Sequence, residues 1–438
     1  MKVKILARET IKPSSPTPNH LKISKISLLD QLSMIEYTPF IYFYPANGHY
    51  HDNERSMLLK ISLSKTLTLY YPFAGRFRDN TSIECNDKGV EFVEARVIDC
   101  VLSDIIQQPD IKQLQELLPV EVESKAAATG SLLVVQANFF KCGGMAIAIC
   151  LSHRVADGLS FFTFVNTWAS MAHNSAEDHN VVQPQFSIGP SLFPPLDSSL
   201  PPFEFPRGKC IMRRFVFDGS SIAALKGSTA SSTVQRPSKA EAVTALLWKC
   251  AIAASSSVHG VLPRQSICYR AVDLRRRFSP RLSDYAVGNL LASVGTRINV
   301  EKWRDLNLKT LLHQLRKAMQ EFKIKEGENL IGEPNEETER KESVHHFACT
   351  TLRGMPMYEA DFGWGKPIWA SVTSLLIPNM TFIRDTRDGD GIEALVWLGE
   401  EEMAMFERNK ELLAFATLDP NILQQLQGSC NTNSISKL

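Results

Sequence analysis

An α/β fold in two domains is predicted, and three features of the sequence predict it. Two apolar runs rich in β-branched and aromatic residues, SLLVVQANFF (131–140) and MAIAICLSH (145–153), flank a KCGG turn and read as paired strands. The residues that follow change period. Leu159, Phe161, Phe162, Phe164, Val165, Trp168 and Ala172 recur at helical spacing. A proline-dense stretch then divides a chain of 438 residues, which is itself too long for one ordinary core.

That stretch carries Pro184, Pro190, Pro194, Pro195, Pro201, Pro202 and Pro206. Proline lacks the amide donor and fixes φ, so this density forbids a helix or a central strand. A structureless segment of that length suits a crossover between domains better than a loop within one. The expected division is an N-terminal domain over 1–183, a crossover over 184–207 and a C-terminal domain over 208–438. Further on, Lys226 to Ser238 is rich in Ser and Thr and reads as a surface loop. KAEAVTALLWKCAIAA (239–254) reads as a buried helix with Ser238 as its N-cap. Lys323 to Glu342 is charged and interrupted by glycine, the pattern of a solvated helix end and loop. Strands alternating with helices in both halves give the α/β expectation.

Composition narrows the function classes. Hydrophobic residues make up 44% of the chain, so a mostly disordered protein is excluded. Lys and Arg total 48 against 47 for Asp and Glu, which leaves no net field to draw nucleic acid or an anionic membrane. A local basic patch for a phosphorylated ligand stays open. The nine cysteines are scattered with no CxxC pair, as expected of buried thiols in a reducing compartment. The first residues, MKVKILARETIKPSSPTP, hold no apolar stretch of signal-peptide length. No run approaches the roughly 18 to 20 apolar residues of a membrane helix. A cytoplasmic protein is expected, and the sequons at Asn80 and Asn379 are read as chance matches.

Two short motifs carry chemistry. His153-Arg-Val-Ala-Asp157-Gly158 stands where a strand ends and a helix begins, a place where a rigid scaffold exposes polar groups. A histidine there titrates near neutrality and can take a proton from an alcohol. Asp157 either orients the imidazole or braces the loop through an ion pair. Gly158 allows a close backbone approach or a positive φ. Alone, HxxxD is a weak pattern. The second motif, Asp361-Phe362-Gly363-Trp364-Gly365-Lys366-Pro367, demands an irregular, closely packed loop, and alone reads as a turn with Trp364 in the core.

Together the two motifs, in this order, resemble the joint signature of the BAHD acyltransferases. The resemblance covers nearly the whole chain. KPSSPTPNHLKISKISLLDQ (12–31) is similar to the opening of the family's vinorine synthase and salutaridinol acetyltransferase group. YYPFAGR (70–76), CGGMAIAICLSHRVADG (142–158), RRFVFD (213–218), AVDLRRRFSP (271–280), VGNL (287–290) and DTRDGDGIEA (385–394) follow in the family's order.

The resemblance implies two similar chloramphenicol-acetyltransferase-like domains of mixed sheet and helices, with a channel between them. It implies His153 in mid-channel as general base, with acyl-coenzyme A entering from one side and a small-molecule alcohol from the other. In the family the motif aspartate pairs with an arginine that matches Arg275, so Asp157 is expected to shape the site. Asp361, with Gly363, Trp364 and Gly365, is expected to support the fold and the cofactor side. Asn289 matches a family position and is expected to cap or brace the channel, and Ser238 is a candidate cofactor contact. No permanently bound cofactor and no metal are expected. Acetyl-coenzyme A is the donor that the resembled group implies, a plant alkaloid or terpenoid alcohol the acceptor, and a monomer the state.

This sequence departs from the family pattern in places. Thr351-Leu352 stands where a Ser-Trp pair is common, which leaves Thr350 as a candidate hydroxyl donor near the oxyanion. Leu395 replaces a frequent tryptophan, and Ser279 a common proline. His345, His346 and Cys349 suggest a metal site, but no second cluster completes four ligands, and a surface or core pair is expected. Arg275, Arg276 and Arg277 suit coenzyme A phosphates or a solvated face equally. Other acyl groups such as benzoyl or hydroxycinnamoyl, an amine acceptor, and a non-catalytic binding relative are the competing readings. The absence of GxSxG disfavours a hydrolase.

Overall fold

Two mixed sheets, each assembled from strands distant in the sequence, organise the chain. The computed structural model describes residues 1–122, 124, 129–173, 182–196, 207–300, 306–324, 344–373 and 377–423. The first half supplies β1 (Val3–Ile11), β2 (Ile23–Lys25), β3 (Tyr37–Tyr44), β4 (Arg76–Phe77), β5 (Ser82–Glu84), β6 (Val90–Val97), β7 (Leu133–Phe140) and β8 (Met145–Ser152). The second supplies β9 (Ile211–Phe217), β10 (Gln265–Asp273), β11 (Leu291–Asn299), β12 (Val344–Thr351), β13 (Trp369–Ser371), β14 (Met380–Asp385), β15 (Ile392–Leu398) and β16 (Thr417–Leu418). The first large sheet runs β1-β6-β7-β8-β3-β13 and the second β11-β10-β12-β14-β15-β9-β16. Each combines parallel and antiparallel pairs, with β6–β7 parallel in the first and β10–β12 and β12–β14 parallel in the second.

The hairpin β7–β8 is buried along its entire length on both faces, as its uninterrupted apolar runs require. The amide nitrogens of two of its polar residues find partners inside the protein. Gln136 Nε2 donates to Leu117 O at 3.1 Å and Asn138 Nδ2 to the same oxygen at 3.0 Å. The turn between the strands needs glycine. Gly143 has φ +83°, and a β-carbon on Gly144 would lie 2.8 Å from Leu102 Cδ2.

The helix Gly158–His173 follows at once and buries Phe161, Phe162, Phe164, Val165 and Trp168. Burying each such side chain contributes about 1.5–3 kcal/mol. Trp168 Nε1 still finds partners, donating to Leu59 O and Ser62 Oγ on the neighbouring helix Asp52–Leu69. In the second unit the helix Lys239–His259 lies against its sheet. Ser238 caps it with a reciprocal pair: Ser238 Oγ accepts Glu241 N–H at 3.2 Å, and Glu241 Oε2 accepts Ser238 N–H at 2.8 Å.

One reading of the sequence changes. The segment from Lys226 to Ser238 is not all loop, because the helix Gly219–Thr229 takes its first four residues. Ile222, Leu225 and Thr229 recur at helical spacing and are buried, and Asp218 caps the helix. Trp369–Ser371 comes from the second half yet extends the first sheet by pairing with β3, where Trp369 stacks on Phe43 at 5.0 Å. Part of the expected crossover, 197–206, lies outside the described residues, as does most of the charged segment 323–342. Among the described residues, no helix is long and apolar enough to cross a membrane.

Candidate active site

The end of β8 delivers His153 into a loop that closes on the helix Gly158–His173. Its main chain is held from both sides. His153 N–H donates to Glu36 O at 3.0 Å, and His153 O accepts from Asn289 Nδ2 at 2.6 Å. The imidazole is half-buried and its Nδ1 fully covered, so the open side of the ring is the Nε2 side. Burial lowers its pKa below the usual histidine value, with its own main chain, Asp157, Asn289 and Asp30 pulling weakly the other way. The ring is therefore neutral at pH 7, the state a proton acceptor needs.

Asp157 does not hydrogen-bond to that ring. Its carboxylate takes Arg275 Nη1 at 2.6 Å on one oxygen and Arg275 Nη2 at 3.2 Å on the other, with both side chains out of solvent. It also accepts Ser160 N–H at 2.9 Å, capping the helix, and Leu290 N–H at 3.1 Å from the second unit. Of the two roles left open for Asp157, the geometry is that of the brace. Ser160 Oγ joins the same cluster by donating to Gly288 O at 3.1 Å and accepting Arg275 Nη2 at 3.0 Å.

Gly158 serves a close approach and not a positive φ. A β-carbon there would stand 3.2 Å from Leu352 Cδ2 and 3.4 Å from Met355 Sδ. Leu352 thus abuts the start of the helix that follows His153. Thr350 lies two residues earlier, half-buried on β12, opposite Phe382 of β14. A pocket of about 160 Å³ opens beside this contact, lined in part by Leu352, Met355, Pro356, Met357, Tyr358 and Arg384.

The other expected site residues fall elsewhere. Asp361 Oδ1 accepts Gly363 N–H at 2.8 Å and Gly365 N–H at 2.9 Å, which folds its loop back on itself around glycines with φ +108° and +100°. Trp364 stacks on Phe362 at 5.6 Å and meets Tyr44 edge-on, so the loop is packed onto the first sheet. Ser238 spends its hydroxyl oxygen on the helix cap described above. Arg275 is buried while Arg276 and Arg277 are exposed, so the three arginines do not share one face. His345 is buried with Nδ1 2.9 Å from Ser266 Oγ, and His346 stacks with Tyr269. Among the described residues, no group of three His, Cys, Asp or Glu is placed to hold a metal.

Two residues of the cluster escape a reading by motif. Asp30 Oδ1 accepts both Asn289 N–H at 2.6 Å and Asn289 Nδ2 at 2.9 Å. Arg154 lies 4.6 Å over the Phe77 ring and hydrogen-bonds Asn80, anchoring the residue next to His153. The S-x-x-D spacing of Ser27 and Asp30 is a capping pattern that sequence inspection can find, but its contact with Asn289 is not.

A profile described as the Transferase family matches residues 1–413. The chain belongs to this family, the BAHD acyltransferases. It is an enzyme of the acyltransferase class. Akuammiline synthase 1 of Alstonia scholaris is 39% identical over 94% of this chain and 97% of its own length. Vinorine synthase of Rauvolfia serpentina is 37% identical over 94% and 98%. Limonoid 1-O-acetyltransferase of Citrus sinensis is 34% identical over 97% and 100%. The crystal structure of vinorine synthase superposes with a TM-score of 0.84 at 35% identity, covering 94% of this chain and 98% of that one. The crystal structure of F. graminearum TRI101 complexed with coenzyme A and T-2 mycotoxin shares the fold at a TM-score of 0.70 and 15% identity, over 91% of this chain and 99% of that one. The two-sheet α/β architecture of a BAHD acyltransferase is thus the architecture of this chain.

Proposed function

We propose that this BAHD acyltransferase moves an acyl group, acetyl in the first instance, from coenzyme A to a hydroxyl of a plant alkaloid or terpenoid, with His153 as general base. The observation that carries the reading is the state of His153: neutral by burial, open on its Nε2 side, and clamped through its main chain. The acceptor class is supported by relatives whose names include vinorine synthase, stemmadenine O-acetyltransferase and limonoid 1-O-acetyltransferase. Coenzyme A as co-substrate is supported by its presence in the TRI101 complex of the same fold.

The reaction follows from the site. His153 Nε2 takes the acceptor's hydroxyl proton as the oxygen attacks the thioester carbonyl. The tetrahedral oxyanion collapses, the carbon–sulfur bond breaks, and the thiolate leaves with the proton that His153 returns. Base assistance is worth about 10²- to 10⁴-fold, and one oxyanion donor roughly 10²- to 10³-fold. Thr350 is the side chain assigned to that oxyanion. Asp157 and Arg275 hold the loop in place, and Asn289 braces it. Asp361, Gly363, Trp364 and Gly365 keep their loop packed, and Ser238, whose oxygen caps the helix while its O–H remains a donor, is assigned to the coenzyme A side. No covalent acyl-enzyme forms. The same reading gives a cytosolic monomer with the divisions 1–183, 184–207 and 208–438.

The test is thiol release from a panel of acyl-coenzyme A donors with mixed alkaloid and terpenoid alcohols, with His153→Ala as control. Alcohol-dependent release that disappears in the variant is expected. Equal release by the variant overturns the role of His153, and no release with any pair overturns the activity.

A further inference from the structure

Asp30 is 4% exposed on the single turn Leu28–Gln31 and faces donors on every side. Oδ2 takes Ser27 N–H at 2.8 Å and the Ser27 hydroxyl at 2.7 Å. Oδ1 takes Asn289 N–H at 2.6 Å and Asn289 Nδ2 at 2.9 Å. The same Nδ2 donates to His153 O at 2.6 Å, and a side-chain amide nitrogen has two hydrogens, one for each bond. A chain of two hydrogen bonds therefore runs from Asp30 to the main chain of His153.

Asp157 and Asp30 grip neighbouring residues of the second unit, Asp157 at Leu290 N–H and Asp30 at Asn289 N–H. Their charge balance differs. Arg275 compensates Asp157, whereas among the described residues no cation pairs with Asp30. Burying a carboxylate without a cation costs stability, and here the cost is met by four donors, two of them from the residue that holds His153.

We propose that Asp30 is a positioning residue for His153, acting through Asn289 on the main chain of the loop. The inference rests on His153 as the base of acyl transfer. Asp30 sets where the imidazole stands and adds a negative charge near it. Asp157, with its charge balanced by Arg275, holds the helix and the loop's far end. Around His153 the charged groups are Asp30, Asp157 with Arg275, Arg154 and the Glu36 carboxylate paired with Arg207. Removing Asp30 leaves the Asp157–Arg275 pair intact.

The experiment compares wild type, Asp30→Asn, Asp30→Ala, Asn289→Ala and the double alanine variant. The first readout needs no substrate: the pH midpoint for modification of His153 by diethyl pyrocarbonate, mapped on its own peptide. In Asp30→Asn the midpoint is expected to fall by about half to one unit. The second is turnover with acetyl-coenzyme A and the panel alcohol that releases most thiol. Here kcat is expected to fall about tenfold to hundredfold with the donor KM changed less than about twofold. The double variant is expected to lose no more than the worse single one. An unmoved midpoint with unchanged kcat and only a lower Tm overturns the inference, and so do additive losses. Should Asp30→Ala fail to fold, Asp30→Asn keeps the shape and carries the test. If wild type releases no thiol with any alcohol, the acyl-transfer reading has failed, while the midpoint still judges the position of His153.

Discussion

Asp157 and Arg275, 118 residues apart, meet as a two-point ion pair at 2.6 and 3.2 Å with neither side chain open to solvent. Arg275 also donates from Nη2 to Ala286 O at 2.7 Å and from Nη1 to Asp273 Oδ1 at 3.2 Å. The pair therefore ties the helix after His153 to the loop before β11. Breaking a buried pair from one side leaves an uncompensated charge, which costs about 3–5 kcal/mol. Asp157→Ala should lose that much in a denaturant titration and should lose the helix cap with it. Asp157→Asn keeps an acceptor for Ser160 N–H and should lose less. A stability equal to wild type in Asp157→Ala shows that the pair is not a lock.

Burial lowers the pKa of His153, and the sign of this shift fixes the acid limb of activity. The neutral ring is the active form. Activity is lost through the folded value, which lies below the ordinary histidine value of about 6.5. The expected kcat/KM profile is flat at its alkaline end and drops in acid with a midpoint below about 6.5. A midpoint above about 7 contradicts a base held neutral by desolvation.

Much of this site was legible because its pattern is local. The β7–β8 hairpin and the helix from Gly158 place His153 at a strand–helix junction from period and turn residues alone. Ser238 was readable as a cap for the same reason, its partner Glu241 being three residues away. What the sequence hides is long-range. Arg275 enters only through a family resemblance, and Asp30 meets Asn289 across 259 residues, a contact that no periodicity reports. The pairing of Trp369–Ser371 with β3 is hidden likewise, since three residues carry no strand pattern of their own. Gly158 was ambiguous because the sequence does not show which side chains approach it.

Asp361 tests the division between support and chemistry. Among the described residues its carboxylate accepts hydrogen bonds within its own loop, from Gly363 and Gly365 N–H, with His173 Nε2 further off at 3.7 Å. Asp361→Ala leaves two main-chain N–H groups without this acceptor, a loss of about 0.5–1.5 kcal/mol for each bond, the exposed Gly365 N–H at the low end. A lower Tm and lower soluble yield are expected, with kcat per folded molecule close to wild type. A stable Asp361→Ala protein with selectively lost turnover would assign the carboxylate to the reaction instead.

His345 should make the fold sensitive to acid independently of the active site. It sits on β12 facing the helix Lys239–His259, where Ser266 Oγ bridges its Nδ1 to Trp248 Nε1. Burial, and then the neighbouring His346, lower its pKa from 6.5 to about 4. The folded state thus binds the proton more weakly than the unfolded state. Stability from this residue is fully present above pH 6.5 and drains as pH falls toward 4, because the unfolded chain takes up the proton first. At about 1.4 kcal/mol per pKa unit, the loss reaches roughly 2–3 kcal/mol near pH 4.5. His345→Asn does not titrate, so its stability should fall less than wild type between pH 7.5 and 4.5 by that difference, read from denaturant midpoints at equal m. The variant is expected to be less stable than wild type at pH 7.5, because Ser266 loses its ring partner, and the two curves should converge in acid. Parallel curves would show that the ring takes its proton at the same pH in the folded and unfolded chain, which its burial does not support.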